Sequence, residues 1–187
     1  YSQINYQDRP VRVSPLKYAS VIKWFTNQSD GIPAYIKIDM ATQNTELVKL
    51  SEGMKYTTSD HFNRNIYRHL RFNYPTYIFS DLSFEIDEDG VPYWICPVKK
   101  YNIGLFGGTT IGRVVLCNAI TGETKDYAVE DVPQWVDRVY SADLLVELYN
   151  YHGTLKHGFF NSVLGQKDCL NTTDGYNYLA IDDDVWV

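Results

Sequence analysis

The fold of this chain is decided by residues 111–140, which read IGRVVLCNAITGETKDYAVEDVPQWVDRVY. In the first ten of these residues, only a glycine, an arginine and an asparagine interrupt an apolar run. A strand that is apolar on both faces is typical of a sheet covered on both sides. The pattern therefore predicts an interior strand over 111–120, a turn at Thr121-Gly122 and a more polar return strand over 123–129.

Two registers are open for this hairpin. A two-residue loop would need a positive φ at Thr121, which a β-branched residue resists, so a type I turn closed by Gly122 in the left-handed region is favoured. That turn places Tyr127 opposite Val115. A slip of one residue would place Tyr127 opposite Leu116, and the pattern does not decide because both faces are apolar.

The segment after the hairpin predicts a helix. Asp131 near its start and Pro133 in its first turn are start signals, since the first backbone N–H groups lack intrahelical partners and favour nearby negative charge. The side chains expected to form its apolar stripe, one turn apart in each pair, are Trp135 with Val139 and Val136 with Tyr140.

The turn NA-x-TGE at 118–123, followed by VPQWVDRVY at 132–140, resembles PepSY-type domains, which are small α+β units outside the cell membrane, often discussed as regulators of peptidases. The whole chain is similar to the extracytoplasmic part of large multi-span membrane proteins of Gram-positive bacteria that have no established activity. The resemblance implies a location on the extracytoplasmic face of the cell membrane and a regulatory or scaffolding role. It supplies no catalytic residue.

The N-terminal part predicts a short strand at 11–13, then a helix opened by Ser14-Pro15. The buried stripe expected for this helix is Tyr18, Ile22 and Phe25. A half-buried strand follows over 34–40, with a return strand over 46–50. Its alternating faces carry Ile36, Ile38 and Met40 on one side and Tyr35, Lys37 and Asp39 on the other.

The next helix is expected to begin at the cap Ser59 and to bury Phe62, Ile66 and Leu70. Basic side chains recur at helical spacing along its other side, namely His61, Arg64, Arg68 and Arg71. Guanidinium forks suit carboxylates and phosphates. This face is either a solvated surface whose arginines pair with local acids, or a site that binds an acidic protein segment or an anionic envelope component.

Residues 82–95 predict a hairpin around Asp89-Gly90, a strong turn signal. A two-residue turn would pair Ile86 with Tyr93 and Phe84 with Ile95. The alternate residues, expected on the polar face, are Ser83, Glu85 and Asp87.

Two prolines, Pro92 and Pro97, cannot donate to a strand ladder, so the return strand is expected at a sheet edge or with a bulge. An edge near Tyr93 would be a second candidate docking surface, because edge strands pair with other chains.

After residue 140, Ser141 is the expected cap of a further helix that ends at Gly153. Its predicted buried residues are Leu144, Leu145, Leu148 and Tyr149. The glycine-rich stretch 104–108 favours a loop over a phosphate site, because no lysine and helix follow it. The acidic turn at 182–184 is a poor calcium site, since consecutive aspartates diverge.

Composition excludes several function classes. The net charge of −6 argues against nucleic-acid binding, which draws on basic patches. No run of about 18 apolar residues could cross a bilayer, so any membrane attachment is expected through parts of the parent chain outside this sequence. We expect Tyr1 to begin a fragment or processed form and the final strand to continue beyond Val187.

Motifs for chemistry are missing. Three cysteines without CxxC spacing do not predict a disulfide framework or a zinc site, and no G-x-S-x-G nucleophile elbow occurs. The sequence therefore indicates no cofactor, no metal and no catalytic residue.

These patterns predict an α+β protein of antiparallel hairpins packed with helices, in ββα-like units that cover 1–73 and 74–187. The function expected is a non-catalytic extracytoplasmic module that binds a protein or an anionic envelope component. The alternative is an envelope hydrolase or carbohydrate-binding module that uses the 16 tyrosines and 4 tryptophans. A concave pocket combining aromatic rings with carboxylates would favour the alternative.

Overall fold

The structure is a computed structural model that describes residues 1–101, 108–173, 175, 179–181 and 184–186. It contains two antiparallel four-stranded sheets and a few helices. The α+β class is thus confirmed. The predictions for 104–107, 174, 176–178, 182, 183 and 187 lie outside the described residues.

The strands follow one another along each sheet. The first sheet contains β1 (Ser2–Asn5), β2 (Pro10–Pro15), β3 (Ile32–Asp39) and β4 (Thr45–Met54), in that order. The second contains β5 (Ser83–Ile86), β6 (Pro92–Tyr101), β7 (Thr109–Asn118) and β8 (Thr124–Ala128), also in order. A separate hairpin is formed by β9 (Leu179–Ile181) and β10 (Asp184–Trp186).

The helices are α1 (Val21–Asn27), α2 (Ile66–Asn73) and α3 (Ala142–Thr154). Single turns of 3-10 helix cover Phe62–Arg64 and Val129–Asp131, and a π-helical turn covers Asn161–Gly165.

The main core lies between the two sheets and is closed by α2. Its buried side chains come from the first sheet, from α2 and from the inner face of the second sheet, and include Ile4, Val13, Tyr35, Ile66, Leu70, Phe84, Trp94 and Val115. Burying this much apolar surface is the main force that holds the sheets together.

A second core covers the outer face of the second sheet. Its buried side chains are Ile95, Ile111, Val114, Leu116, Val136 and Leu144. They come from β6 and β7, from the segment after β8, and from α3. The strand predicted to be interior and apolar on both faces is therefore confirmed as β7, which lies between β6 and β8.

The register predicted for the β7–β8 hairpin is wrong in both versions. Tyr127 lies opposite Val114. The turn is longer than either version because the Asn118 side chain caps it, accepting from the backbone N–H groups of Ile120 and Thr121 at 2.9 and 3.0 Å. Gly122 does occupy the left-handed region, with φ of 76°.

The β5–β6 hairpin is also one residue away from prediction, since Ile86 pairs with Pro92 and Phe84 with Trp94. The Asp87 carboxylate accepts from the N–H groups of Asp89 and Val91 at 3.0 and 2.8 Å. These bonds stabilise a three-residue loop in place of the two-residue turn.

The edge position predicted for the return strand is wrong, because β6 lies between β5 and β7. The two prolines donate no hydrogen bond, but their carbonyls accept. The Pro92 carbonyl accepts from Ala119 N at 3.0 Å and the Pro97 carbonyl from Ser80 N at 2.8 Å. The predicted irregularity exists as a register shift between Val98 and Lys99.

The first helix starts later than predicted. Ser14-Pro15 ends β2, and Ser20 caps α1 by accepting from Lys23 N. The buried residue of α1 is Trp24, while the predicted stripe residues Ile22 and Phe25 are exposed. In the following strand, β3, Tyr35 is buried in the main core, and Ile36 and Ile38 are only half-buried on the opposite face.

The helix predicted after β8 does not form. Beyond the 3-10 turn the chain runs as irregular structure to Ser141, although Val136 is buried and Trp135, Val139 and Tyr140 pack against the second core as the apolar pattern requires. The backbone N–H groups of Asp137 and Arg138 bond to a buried carboxylate, described below, rather than to carbonyls of a continued helical turn.

The last helix is confirmed with Ser141 as its cap, accepting from Leu144 N at 3.3 Å. Leu144 is buried and Leu148 is half-buried, whereas Leu145 and Tyr149 are exposed, contrary to prediction. Gly153 lies within α3 rather than after it.

Candidate functional site

Of the predicted basic residues, His61 and Arg64 are held against α1. The His61 ring lies 4.8 Å from the Trp24 ring between centroids. The indole Nε1 of Trp24 donates to the Asp60 carboxylate at 2.9 Å, and Arg64 Nη1 donates to the carbonyl of Gln28. These two residues therefore join α1 to the turn that precedes α2.

Arg68 and Arg71 lie on the exposed side of α2, and we call this pair the arginine face. The helix that carries them begins at the cap Asn65 and is anchored by Ile66 and Leu70, both buried. The sequence predicts Ser59 as the cap of this helix, and that prediction is wrong. Among the described residues neither guanidinium forms an ion pair with a carboxylate, and Arg68 lies 5.8 Å above the Phe72 ring.

Exposed apolar side chains surround Trp24. Phe25 is 68% exposed and Phe62 is 69% exposed, with ring centroids 6.4 and 5.9 Å from that of Trp24. Ile22, in the same helix, is 77% exposed. We call Ile22, Phe25 and Phe62 the α1 apolar patch. Phe62 was predicted to be buried, and its exposure follows from the later start of α2.

Tyr93, the remaining predicted residue, lies far along the chain from this region and borders a cavity of about 190 Å³ on the outer face of the second sheet. Its ring centroid lies 5.2 Å from that of Trp135. Because β6 is an interior strand, Tyr93 is not part of an edge that could pair with another chain.

A buried acid, Glu85, is the feature that the sequence did not reveal. It was predicted on a polar face, yet all four residues of β5 are buried. Its carboxylate accepts from the backbone N–H groups of Asp137 and Arg138 at 3.0 and 3.1 Å and from the Ser83 hydroxyl at 3.1 Å. Burial raises the pKa of Glu85 to about 8, against these donors. The carboxyl thus fastens the segment after β8 to the sheet.

The residues that the structure describes offer little for nucleophilic or metal chemistry. Burial raises the pKa of the Cys96 thiol, and that of Cys117 to about 12, so neither is a ready nucleophile. Within the described ranges no three His, Cys, Asp or Glu side chains are grouped as a metal site would require. Over the same ranges, no helix is long and apolar enough to cross a membrane.

No protein-family profile, characterised protein or solved structure matches this chain.

Proposed function

We propose that this chain is a non-catalytic extracytoplasmic binding or regulatory module of a membrane-anchored bacterial protein, and that it docks a protein or an anionic envelope component on the arginine face. The regulatory role rests on the resemblance of residues 111–140 to PepSY-type domains, and the location rests on the similarity of the whole chain to the extracytoplasmic part of multi-span membrane proteins of Gram-positive bacteria.

The observation that carries the docking proposal is the state of Arg68 and Arg71. Both are exposed on a capped and anchored helix, and neither is neutralised by a carboxylate of the described residues. Two exposed guanidinium groups on a protein of net charge −6 form a local positive surface that attracts carboxylates or phosphates.

The α1 apolar patch supports the same interpretation. It is joined to the start of α2 through Trp24, His61 and Arg64. Exposed aromatic side chains grouped with arginines are typical of binding surfaces, where rings supply apolar contact and arginines supply directional hydrogen bonds.

The test compares two variants of equal net charge in capture experiments from cell-envelope extract. The first, Arg68→Ala with Arg71→Ala, removes the arginine face. The matched control, Lys49→Ala with Lys100→Ala, removes two exposed lysines elsewhere. We expect the native chain and the lysine variant to retain the same partner, the arginine variant to lose it, and capture to weaken with added salt because exposed charges are screened.

Direct binding to vesicles that contain an anionic phospholipid then separates the two kinds of partner. Binding lost only in the arginine variant identifies an anionic envelope component, while no vesicle binding combined with capture of a protein identifies a protein partner. Equal capture by all three chains, each verified as folded by circular dichroism, would disprove the docking proposal.

A further inference from the structure

The cavity beside Tyr93 combines aromatic rings with carboxylates on the outer face of the second sheet. Tyr93 of β6 and Tyr127 of β8 line it from the sheet, and Pro133 and Trp135 line it from the segment after β8. This segment is fixed in place by Glu85 and by the burial of Val136, so the cavity wall is held by the fold rather than by a loose loop.

The aromatic side of the cavity suits a ring that carries C–H groups. The Tyr93 and Trp135 rings are tilted by 46° with centroids 5.2 Å apart, so they form an open corner rather than a closed stack. The negative face of an aromatic ring attracts the weakly positive C–H groups of an aliphatic ring.

The polar side offers hydrogen-bonding groups that the protein itself does not use. Asp87 and Asn118 engage one side-chain oxygen each in their turns, through Oδ1 in both cases. Within the described chain, Asp87 Oδ2, Asn118 Nδ2 and Trp135 Nε1 have no hydrogen-bond partner. Acceptors and donors are therefore both present around one small space.

The charge and the volume of the cavity restrict the chemical class of ligand further. Asp87 and Glu123 line the cavity together with a single cation, Lys125, whose ammonium lies 3.8 Å from Glu123. The excess of carboxylates disfavours an anionic ligand. The volume of about 190 Å³ is below the roughly 300–1,000 Å³ of pockets for drug-sized molecules, so the space suits one ring.

We propose that this cavity binds a single neutral or amino-substituted pyranose unit, such as one residue of a polysaccharide. The ring's C–H face packs on Tyr93 and Trp135, and its hydroxyl groups bond to Asp87 and Asn118. This site shares no residue with the arginine face.

Saturation-transfer NMR on the whole chain tests the proposal with three probes of one shape, namely methyl β-glucoside, glucosamine and glucuronate. We expect transfer from the first two and several-fold weaker transfer from the anionic glucuronate. Trp135→Ala should reduce binding at least tenfold, whereas Trp135→Phe, which keeps a ring, should retain part of it. Tyr149→Ala, an exposed tyrosine outside the cavity, is the matched control and should bind like the native chain.

Trp135 also packs against the second core, so its replacement by alanine could unfold the segment. Glu123→Gln avoids this difficulty because Glu123 is exposed, and it should lessen the preference against glucuronate. Absence of transfer from all three probes, or unchanged binding in both Trp135→Phe and Glu123→Gln, would overturn the proposal. Arg68→Ala with Arg71→Ala should leave sugar binding unchanged, so failure of one site does not imply failure of the other.

Discussion

The two sheets differ in what covers their outer faces. On the first sheet, the outer face presents Ile36, Ile38 and Leu47, and Leu47 is 54% exposed. On the second sheet, the outer face is covered by α3 and the segment after β8, and Ile95 and Leu116 are almost fully buried.

This difference accounts for the two kinds of strand sequence. A strand covered on one side alternates between apolar and polar residues, as β2 does with Val11 and Val13 facing the core. A strand covered on both sides is apolar at consecutive positions, as β7 is over 114–117. The same cover is what buries Glu85 and creates the cavity beside Trp135, so both unusual features belong to the second sheet.

The largest expected difference between the two outer faces is in the free energy of unfolding that is lost when an apolar side chain is replaced by alanine. Ile95→Ala should lower the free energy of unfolding by about 2–5 kcal/mol, because it leaves a cavity in the second core. Leu47→Ala, on the first sheet, should change it by less than about 0.5 kcal/mol. Urea denaturation at constant m-value measures both, and similar losses would show that the two faces are equally covered.

A second difference is in how stability depends on pH, since the buried carboxyl of Glu85 lies in the second sheet, whose outer face is covered. The pKa of Glu85 in the folded chain, about 8, is raised from 4.5 mainly by burial, with Asp137 raising it further and Arg138 lowering it. Between these values the unfolded chain releases a proton that the folded chain keeps. Stability from this group is therefore complete below pH 4.5 and is lost as pH rises from 4.5 through 8, and the pKa of about 8 already includes the lowering by the hydrogen bonds from the Asp137 N–H and the Ser83 hydroxyl.

Chemical denaturation from pH 5 to pH 9 checks this, with Glu85→Gln as the control. The variant should be less stable at pH 5, because its amide N–H₂ opposes a backbone N–H donor, and its stability should vary less between pH 5 and 8. Parallel curves for the two proteins would mean that Glu85 is ionised in the folded chain throughout this range.

The smallest expected effect is on α3, the helix that covers part of the outer face of the second sheet. Ser141→Ala removes the cap of α3 and should cost about 1 kcal/mol, while Ser141→Gly should cost only a few tenths. Because Leu144 belongs to the second core, the Ser141→Ala variant should also speed hydrogen exchange in β7 more than in β3. Equal changes in the two strands would show that α3 is not coupled to the second sheet.

Patterns of apolar residues predicted the α+β class, most strands and the cap of α3, because these follow from local spacing. They failed where hydrogen bonds from polar side chains decide the backbone path. Both hairpin registers depend on side chains that cap the turns, Asp87 and Asn118. The helix expected after β8 is replaced by an irregular segment because Glu85, far away in the sequence, takes its backbone N–H groups.

In the candidate sites, too, local spacing predicted some features and missed others. The exposed pair Arg68 and Arg71 follows from helical spacing, since i and i+3 positions share a face. Arg64 does not join them because it precedes the cap of α2 and reaches α1 instead. Tyr93 was singled out for an edge that does not exist, and the cavity it borders depends on Trp135, which no local pattern connects to β6.

The core between the sheets also has a consequence for biosynthesis. Ile4, Val13 and Tyr35 are covered by side chains of β5 to β7, which leave the ribosome much later. At roughly 5–20 residues per second, the nascent first sheet keeps its apolar face uncovered on the order of seconds. During translation this apolar face therefore stays open to premature association until β5 to β7 have emerged.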